Sequence, residues 1–286
     1  MQIKKAVITA AGHRQRHLPL QTIVDAEGQN RKVLGLLIDE IASAGVEEVS
    51  VVVQPGYGAL YGDAAEDVPV DISFVEQDGP AGYARAVLCA EEFIGDSAFM
   101  LVVSDHLYVS DHESLTCAQQ LVDAASQEDC AVSAVQPTHE SKLPYFGAIG
   151  GTLFDRNRDL YEVSAVLEKP TPTDAEQQLM TPGVRHGHYL CFLGMHVLTP
   201  LFIEVLNRRV DDAAPETHIC AALHQLAARS RYLAHSIQGR RYDLDRRHGL
   251  LVAQLAVSLA GKYRDEVLGS LVEVLAQSQK ESSNPS

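Results

Sequence analysis

Short apolar runs alternate with amphipathic stretches along the first half of the chain. Ala6, Val7 and Ile8 read as a buried strand, broken at Ala11-Gly12 and fixed on exit by Pro19. Residues 33–44 (VLGLLIDEIASA) carry apolar side chains at helical spacing and stop at Gly45, a residue suited to the left-handed position after a helix. A β-branched run at 49–53 follows and is closed by Pro55-Gly56. Strand, helix and strand in this order predict a parallel βαβ unit with a right-handed crossover. The alternation goes on through a connection at 57–69, a strand at 70–76, a helix at 82–94, a fully buried strand at 99–105 (FMLVVSD), a helix at 112–127 and a strand at 130–136.

Beyond about residue 140 the pattern changes. Residues 145–151 and 160–170 read as extended, 170–183 as a Pro- and Thr-rich loop, and 188–198 as an apolar strand. Helices near 199–209 and 216–230 precede a strand near 232–238. Segments 250–260 and 266–276 form a helical C-terminal region within 246–278, and the polar stretch 279–286 is expected to be disordered. The fold class is therefore α/β, an alternating series of strands and helices with a helical C-terminal region. The broad apolar faces of the last two helices suit packing on their own domain, or a homo-oligomer interface.

Charge narrows the partners. A formal net charge of −15 argues against general binding of nucleic acid or anionic membrane, and leaves room for a small anion held by a local cluster of Arg and Lys. The five cysteines are an odd number without C-x-x-C spacing and read as small core residues of a reducing compartment. Lys4 and Lys5 lead into a run too short for a signal peptide, and no stretch approaches membrane-spanning length. The expectation is a soluble, cytoplasmic protein.

Ligands of open α/β sheets bind at the carboxyl ends of strands, and three candidates fall there. In the loop after the first strand, Gly12 would let backbone N–H groups approach phosphate closely, with Arg14 and Arg16 pairing to its oxygens; an ordinary strand-to-loop turn explains the same residues. Asp105 ends a buried apolar run, where a carboxylate must be solvated, hydrogen-bonded or bound to a cation such as Mg²⁺; capping of the next helix is the other reading. In EQDGPAGYARAV (76–87), Gln77 offers an amide to a nucleobase edge, and Gly79 and Gly82 would let a flat base lie on the backbone, although a plain Gly-Pro turn fits equally. Asp243, in GRRYDLD (239–245), is a second carboxylate of this kind, or else an N-cap. His186-Gly-His188 lacks a third nearby ligand and reads as a surface or pocket-side pair.

The order of these segments resembles the sugar-1-phosphate nucleotidyltransferases, especially the bacterial UTP–glucose-1-phosphate uridylyltransferases, from about residue 3 to 260. AVITAAGHRQRHLP resembles their glycine-rich loop, EQDGPAGYARAVLCA their base segment, and LVVSDH the strand ending in a metal-binding Asp. YFGAIGG, VLEKP and GHYLC resemble the sugar-pocket segments, and GRRYDLDRRHGLLVA the segment with the second metal-binding Asp. The resemblance implies a Rossmann-like, three-layer mixed sheet flanked by helices, forming a nucleotidyltransferase domain at 1–245 with a nucleotide part at about 1–140 and a sugar part at about 141–245. It implies Mg²⁺ held by Asp105 and Asp243, with Asp105, Arg16 and Lys32 as catalytic residues. Ala11, Gly12, Arg14, Gln77 and Gly82 would face the nucleotide, and Gly147, Glu168 and Lys169 the sugar phosphate. The implied reaction joins a sugar 1-phosphate to a nucleoside triphosphate and releases pyrophosphate.

The loop departs from the family pattern G-x-G-T-R. Arg14 stands at the second glycine and Gln15 at the threonine, Gln21 lies near the place of the usual lysine, and Lys32 matches the next one. A working transferase with an altered loop, a non-catalytic relative that senses or regulates by binding sugar phosphates or nucleotides, and an unrelated α/β protein whose carboxylates are structural are the three readings, and the first two are the main ones. Metal-dependent pyrophosphate release separates them.

Overall fold

The computed structural model describes residues 1–282 apart from 14, 66–67, 79–81 and 210–217. Thirteen strands and ten helices follow one another in the order β1 (Lys5–Thr9), β2 (Thr22–Val24), β3 (Asn30–Lys32), α1 (Val33–Ser43), β4 (Glu48–Val53), α2 (Gly58–Ala64), β5 (Asp71–Glu76), α3 (Tyr83–Cys89), α4 (Glu91–Ile94), β6 (Phe99–Val103), β7 (His106–Ser110), α5 (Cys117–Glu128), β8 (Ala131–His139), β9 (Ala148–Asp155), β10 (Leu160–Leu167), α6 (Pro172–Gln178), β11 (His188–Leu198), α7 (Pro200–Asn207), α8 (His218–Arg229), β12 (Tyr232–Ser236), β13 (Gly239–Asp243), α9 (Gly249–Ala260) and α10 (Arg264–Ser282) among the described residues. A 3₁₀ turn at Glu140–Tyr145 joins β8 to β9.

Nine strands form one mixed sheet in the order β5-β4-β1-β6-β11-β8-β12-β10-β9. The first four are parallel, as the βαβ reading expects, and β11 then enters antiparallel between β6 and β8. Side chains leave a strand on alternate faces, and the core divides accordingly. Ala6 and Ile8 of β1 join Leu34, Leu37, Ile38 and Ile41 of α1 in one apolar layer, while Val7 faces Val87 of α3, Phe202 of α7 and Leu223 of α8 in the other. Fully burying one such side chain contributes about 1.5–3 kcal/mol. Three layers result, with the helices covering both faces of the sheet.

Helix boundaries follow capping chemistry. The helix expected at 112–127 starts at Cys117, because Thr116 accepts the Gln119 N–H while the Gln119 side chain accepts the Thr116 N–H. The same arrangement of Thr171 and Asp174, with Pro172 in the first turn, makes α6 out of the stretch expected to be a loop. The connection expected at 57–69 contains α2. Helix α10 runs to Ser282, four residues into the expected disordered tail, and residues 283–286 lie outside the described residues. Two ribbons missed by periodicity, β2–β3 and β7–β13, stand off the main sheet.

All five cysteines are free. Among the described residues no helix is long and apolar enough to cross a membrane. Leu251, Val252, Leu268, Val272, Val274 and Leu275 of the last two helices remain exposed.

Candidate active site

A cleft of about 660 Å³ opens at the carboxyl ends of the parallel strands. Ala11, Gly12, Gln77, Gly82, Asp105, Gly147, Glu168, Lys169 and Asp243 all line it, so loops far apart in the chain meet in one place.

Asp105 lies just past β6, where the chain turns directly into β7, and is 9 % exposed. No helix begins there for it to cap. Strand β13 runs antiparallel to β7 with Asp243 opposite His106. One carboxylate oxygen each of Asp105 and Asp243 and one ring nitrogen of His106 lie within 4.8 Å of one another. Burial pushes the Asp105 carboxyl above the usual carboxylate range; His106 draws it down, and the Asp243 and Asp245 carboxylates push it up again. Asp243 accepts the Arg246 Nε–H at 3.0 Å and the Asp245 N–H at 3.0 Å. Helix α9 has His248 as its N-cap, so neither aspartate serves that end.

The loop after β1 is wound tightly. The Gly12 carbonyl accepts both the Gln15 and Arg16 N–H groups, at 3.1 and 2.9 Å. The Gln15 side chain folds back so that Nε2 donates to Asp105 Oδ2 at 2.6 Å. Its Oε1 lies 2.5 Å from where a Cβ on residue 12 would stand, a space that glycine leaves open.

Two expected catalytic residues do not reach the cleft. Arg16 turns the other way: Nη1 donates to Gln54 Oε1, and the guanidinium lies 5.1 Å from the Tyr57 ring centre. Lys32 spends its ammonium on the β2–β3 ribbon, donating to the Leu20 carbonyl and Thr22 Oγ1, both at 3.0 Å. Local acceptors close at hand captured both cations. Arg14 and Gly79 lie outside the described residues.

On one side of the cleft, Gln77 follows β5 and is 8 % exposed, with Nε2 donating to the Gly82 carbonyl at 3.2 Å just before α3. On the opposite side, Gly147 admits no larger residue. A Cβ there would meet Cys220 Sγ at 2.7 Å, the Phe192 ring at 2.9 Å and Glu168 Oε2 at 3.2 Å. The Cys220 thiol donates to Glu168 Oε2 at 2.8 Å; burial and that carboxylate push its pKa well up, which keeps it a donor. Lys169 stands 3.6 Å from Glu168 Oε1 and has a left-handed backbone with φ of 45°. A non-glycine residue held there is strained, and its N–H is tied to the Phe146 carbonyl at 3.2 Å.

The rim is partly built from residues that sequence reasoning missed. The Arg246 guanidinium lies 3.4 Å from the Tyr145 ring centre and Arg241 lies 3.5 Å from that of Phe146. His106, Tyr83, Asp245 and Gln15 also line the cleft; each lies inside one of the motifs quoted above, and that membership was the only signal for them. His186-Gly-His188 lies off the cleft lining, with the His188 ring against His139.

A family model described as "Nucleotidyl transferase" matches residues 5–242. The UTP–glucose-1-phosphate uridylyltransferase of Streptococcus pneumoniae is 24% identical over 301 residues, covering 96% of this chain and 96% of that protein. The solved structure of UDP-glucose pyrophosphorylase complexed with UDP-glucose superposes with a TM-score of 0.74 at 24% identity, covering 89% of this chain and 98% of that one. UTP-bound UGPase from Acinetobacter baumannii gives 0.74 at 20% identity, covering 95% and 99%. At these identities the structural likeness carries the fold alone.

Proposed function

The chain belongs to the nucleotidyl transferase family, and on that footing we propose that it joins a sugar 1-phosphate, glucose 1-phosphate first among them, to UTP. An oxygen of the sugar phosphate attacks the α-phosphorus of the triphosphate. The bond from that phosphorus to the bridging oxygen breaks, and pyrophosphate leaves with the electron pair. No protein nucleophile is needed, because positioning and charge neutralisation supply most of the acceleration in such transfers.

The observation that carries this reading is the meeting of Asp105 and Asp243 in one cleft, between Gln77–Gly82 on one side and Gly147, Glu168 and Lys169 on the other. Gln77 and Gly82 would read the base, Glu168 the sugar hydroxyls, and the Lys169 ammonium the sugar phosphate. Gly147 keeps the sugar site open. The nucleotide is thus assigned to residues 1–140 and the sugar to 141–245.

A buried carboxylate, Asp105, and a half-buried one, Asp243, that repel each other are a donor set suited to a hard divalent cation. Asp105 and Asp243 would hold Mg²⁺, which when bound offsets negative charge on phosphate oxygens. Arg16 and Lys32 receive no catalytic role in this scheme, since each is committed elsewhere. Nucleoside triphosphate chemistry and free cysteines both fit the cytoplasm.

The Gln15 carboxamide, lodged against Gly12 and Asp105, favours a second reading, a relative that binds these ligands without turning them over. Pyrophosphate release from UTP and glucose 1-phosphate, measured with Mg²⁺ and with EDTA, separates the two. Release that needs both the metal and the sugar phosphate is expected. Silence in a folded sample that binds UTP would support the binding-only relative.

A further inference from the structure

His106 lines the same cleft and takes no part in the scheme above. We propose that it is a third protein ligand of the divalent cation, a nitrogen donor beside Asp105 and Asp243; the inference rests on the metal reading just proposed.

Three features of the chain build it. The β7–β13 register sets His106 directly opposite Asp243 and next to Asp105, which brings a ring nitrogen and two carboxylates within 4.8 Å of one another. The Leu193 carbonyl lies 2.9 Å from His106 Nδ1. A carbonyl only accepts, so Nδ1 carries the proton and the lone pair of the neutral ring is left on Nε2. Giving the other ring N–H to a carbonyl is the usual anchorage of a metal-bound histidine. Finally, β11 is shaped around the ring. Its pairing with β8 is interrupted between Phe192 and His196, and Gly194 there has a φ of 92°. A Cβ on residue 194 would stand 2.7 Å from His106 Nδ1 and 2.6 Å from Val103 Cγ2.

His196 shows what a plain core histidine looks like in this fold. It is 3 % exposed, bonds Ser133, and is shifted by burial alone, whereas His106 faces two carboxylates.

A nitrogen donor changes which cation the site prefers. Mg²⁺ takes oxygen ligands and keeps its waters, while imidazole suits the later first-row divalent ions. His106 therefore tilts the site toward Mn²⁺ or Co²⁺ relative to a pair of carboxylates.

Mn²⁺ is the probe. Electron spin echo modulation of Mn²⁺ bound to the full chain is expected to show ¹⁴N coupling from a directly bound imidazole, lost in His106→Asn. That variant should bind Mn²⁺ about tenfold more weakly, and Mg²⁺ only about threefold more weakly. Wild-type Mn²⁺ without ¹⁴N coupling, when Asp105→Asn still abolishes its binding, would overturn His106 as ligand and leave the metal reading standing. Mn²⁺ bound equally well by Asp105→Asn would overturn both. The wild-type spectrum decides even where the His106 variant does not fold.

Discussion

The carboxamide of Gln15 donates to Asp105 Oδ2 across 2.6 Å, so a residue of the phosphate-side loop grips the carboxylate expected to hold the cation. Its oxygen sits over Gly12, where the family's loop would receive phosphate. On the proposed scheme a bound triphosphate and this side chain would compete for one space. Hydrogen bonds to charged groups contribute about 1.5–3 kcal/mol, so Gln15→Ala is expected to tighten UTP binding in the presence of Mg²⁺ by about tenfold. Calorimetry checks this, and weaker binding in the variant would show that Gln15 supports the nucleotide instead.

Asp105→Asn should lower turnover by at least about a thousandfold, because it would remove one of the two proposed metal ligands. Stability should hold or rise. The burial cost of the charge and the repulsion from Asp243 and Asp245 disappear with it. Pyrophosphate release and a thermal melt together test the assignment, and full activity would remove Asp105 from the site.

Gly147→Ala should cost roughly 1–3 kcal/mol, since its methyl group meets Cys220, Phe192 and Glu168 at once. Those three neighbours cannot all retreat from a buried strand end. A urea titration reads the loss, and the Michaelis constant for the sugar phosphate should rise with it. An unchanged urea midpoint would mean that the pocket yields more easily than its packing implies.

Stability should fall on acidification through His196. Its Nδ1 lies 2.6 Å from Ser133 Oγ, which in turn lies 2.5 Å from the Tyr232 hydroxyl. Burial draws its pKa from 6.5 down to about 4. The unfolded chain therefore takes up a proton that the folded chain refuses between those values, and stability is lost as the pH falls through that window. The loss amounts to roughly 3 kcal/mol when complete. His235 is lowered for the same reason and adds in the same direction. Urea midpoints at pH 7 and pH 4.5 should differ less in His196→Gln than in the wild type; equal differences would exclude His196.

The parallel half of the sheet was legible because Val7, Val51 and Leu101 sit in runs too apolar to lie anywhere but between layers. Asp105 was legible for a related reason, as a charge that closes such a run. The β7–β13 ribbon was not. HLYVS and GRRYD carry too few apolar positions to show a period, and their pairing joins segments distant in the chain. The destinations of Arg16 and Lys32 were equally hidden. A long flexible cation goes to the nearest acceptor, here Gln54 and the Leu20 carbonyl, and spacing in the sequence does not encode where that lies. Helix α6 is hidden in a Pro- and Thr-rich stretch because both residue types suit loops, yet both are also at home in a helix's first turn, as Thr171 and Pro172 are here.

The pairing of His106 with Asp243 also has a consequence for biosynthesis. Asp105 and His106 leave the ribosome long before Asp243, so the growing chain carries only part of the proposed cation site for much of its synthesis. Only when the strand at 239–243 docks do the carboxylates meet. A prematurely terminated or clipped product that retains the whole phosphate-side loop but lacks this strand would be unable to assemble the site. On the proposed scheme, completion of the chain is thereby made a condition of metal capture.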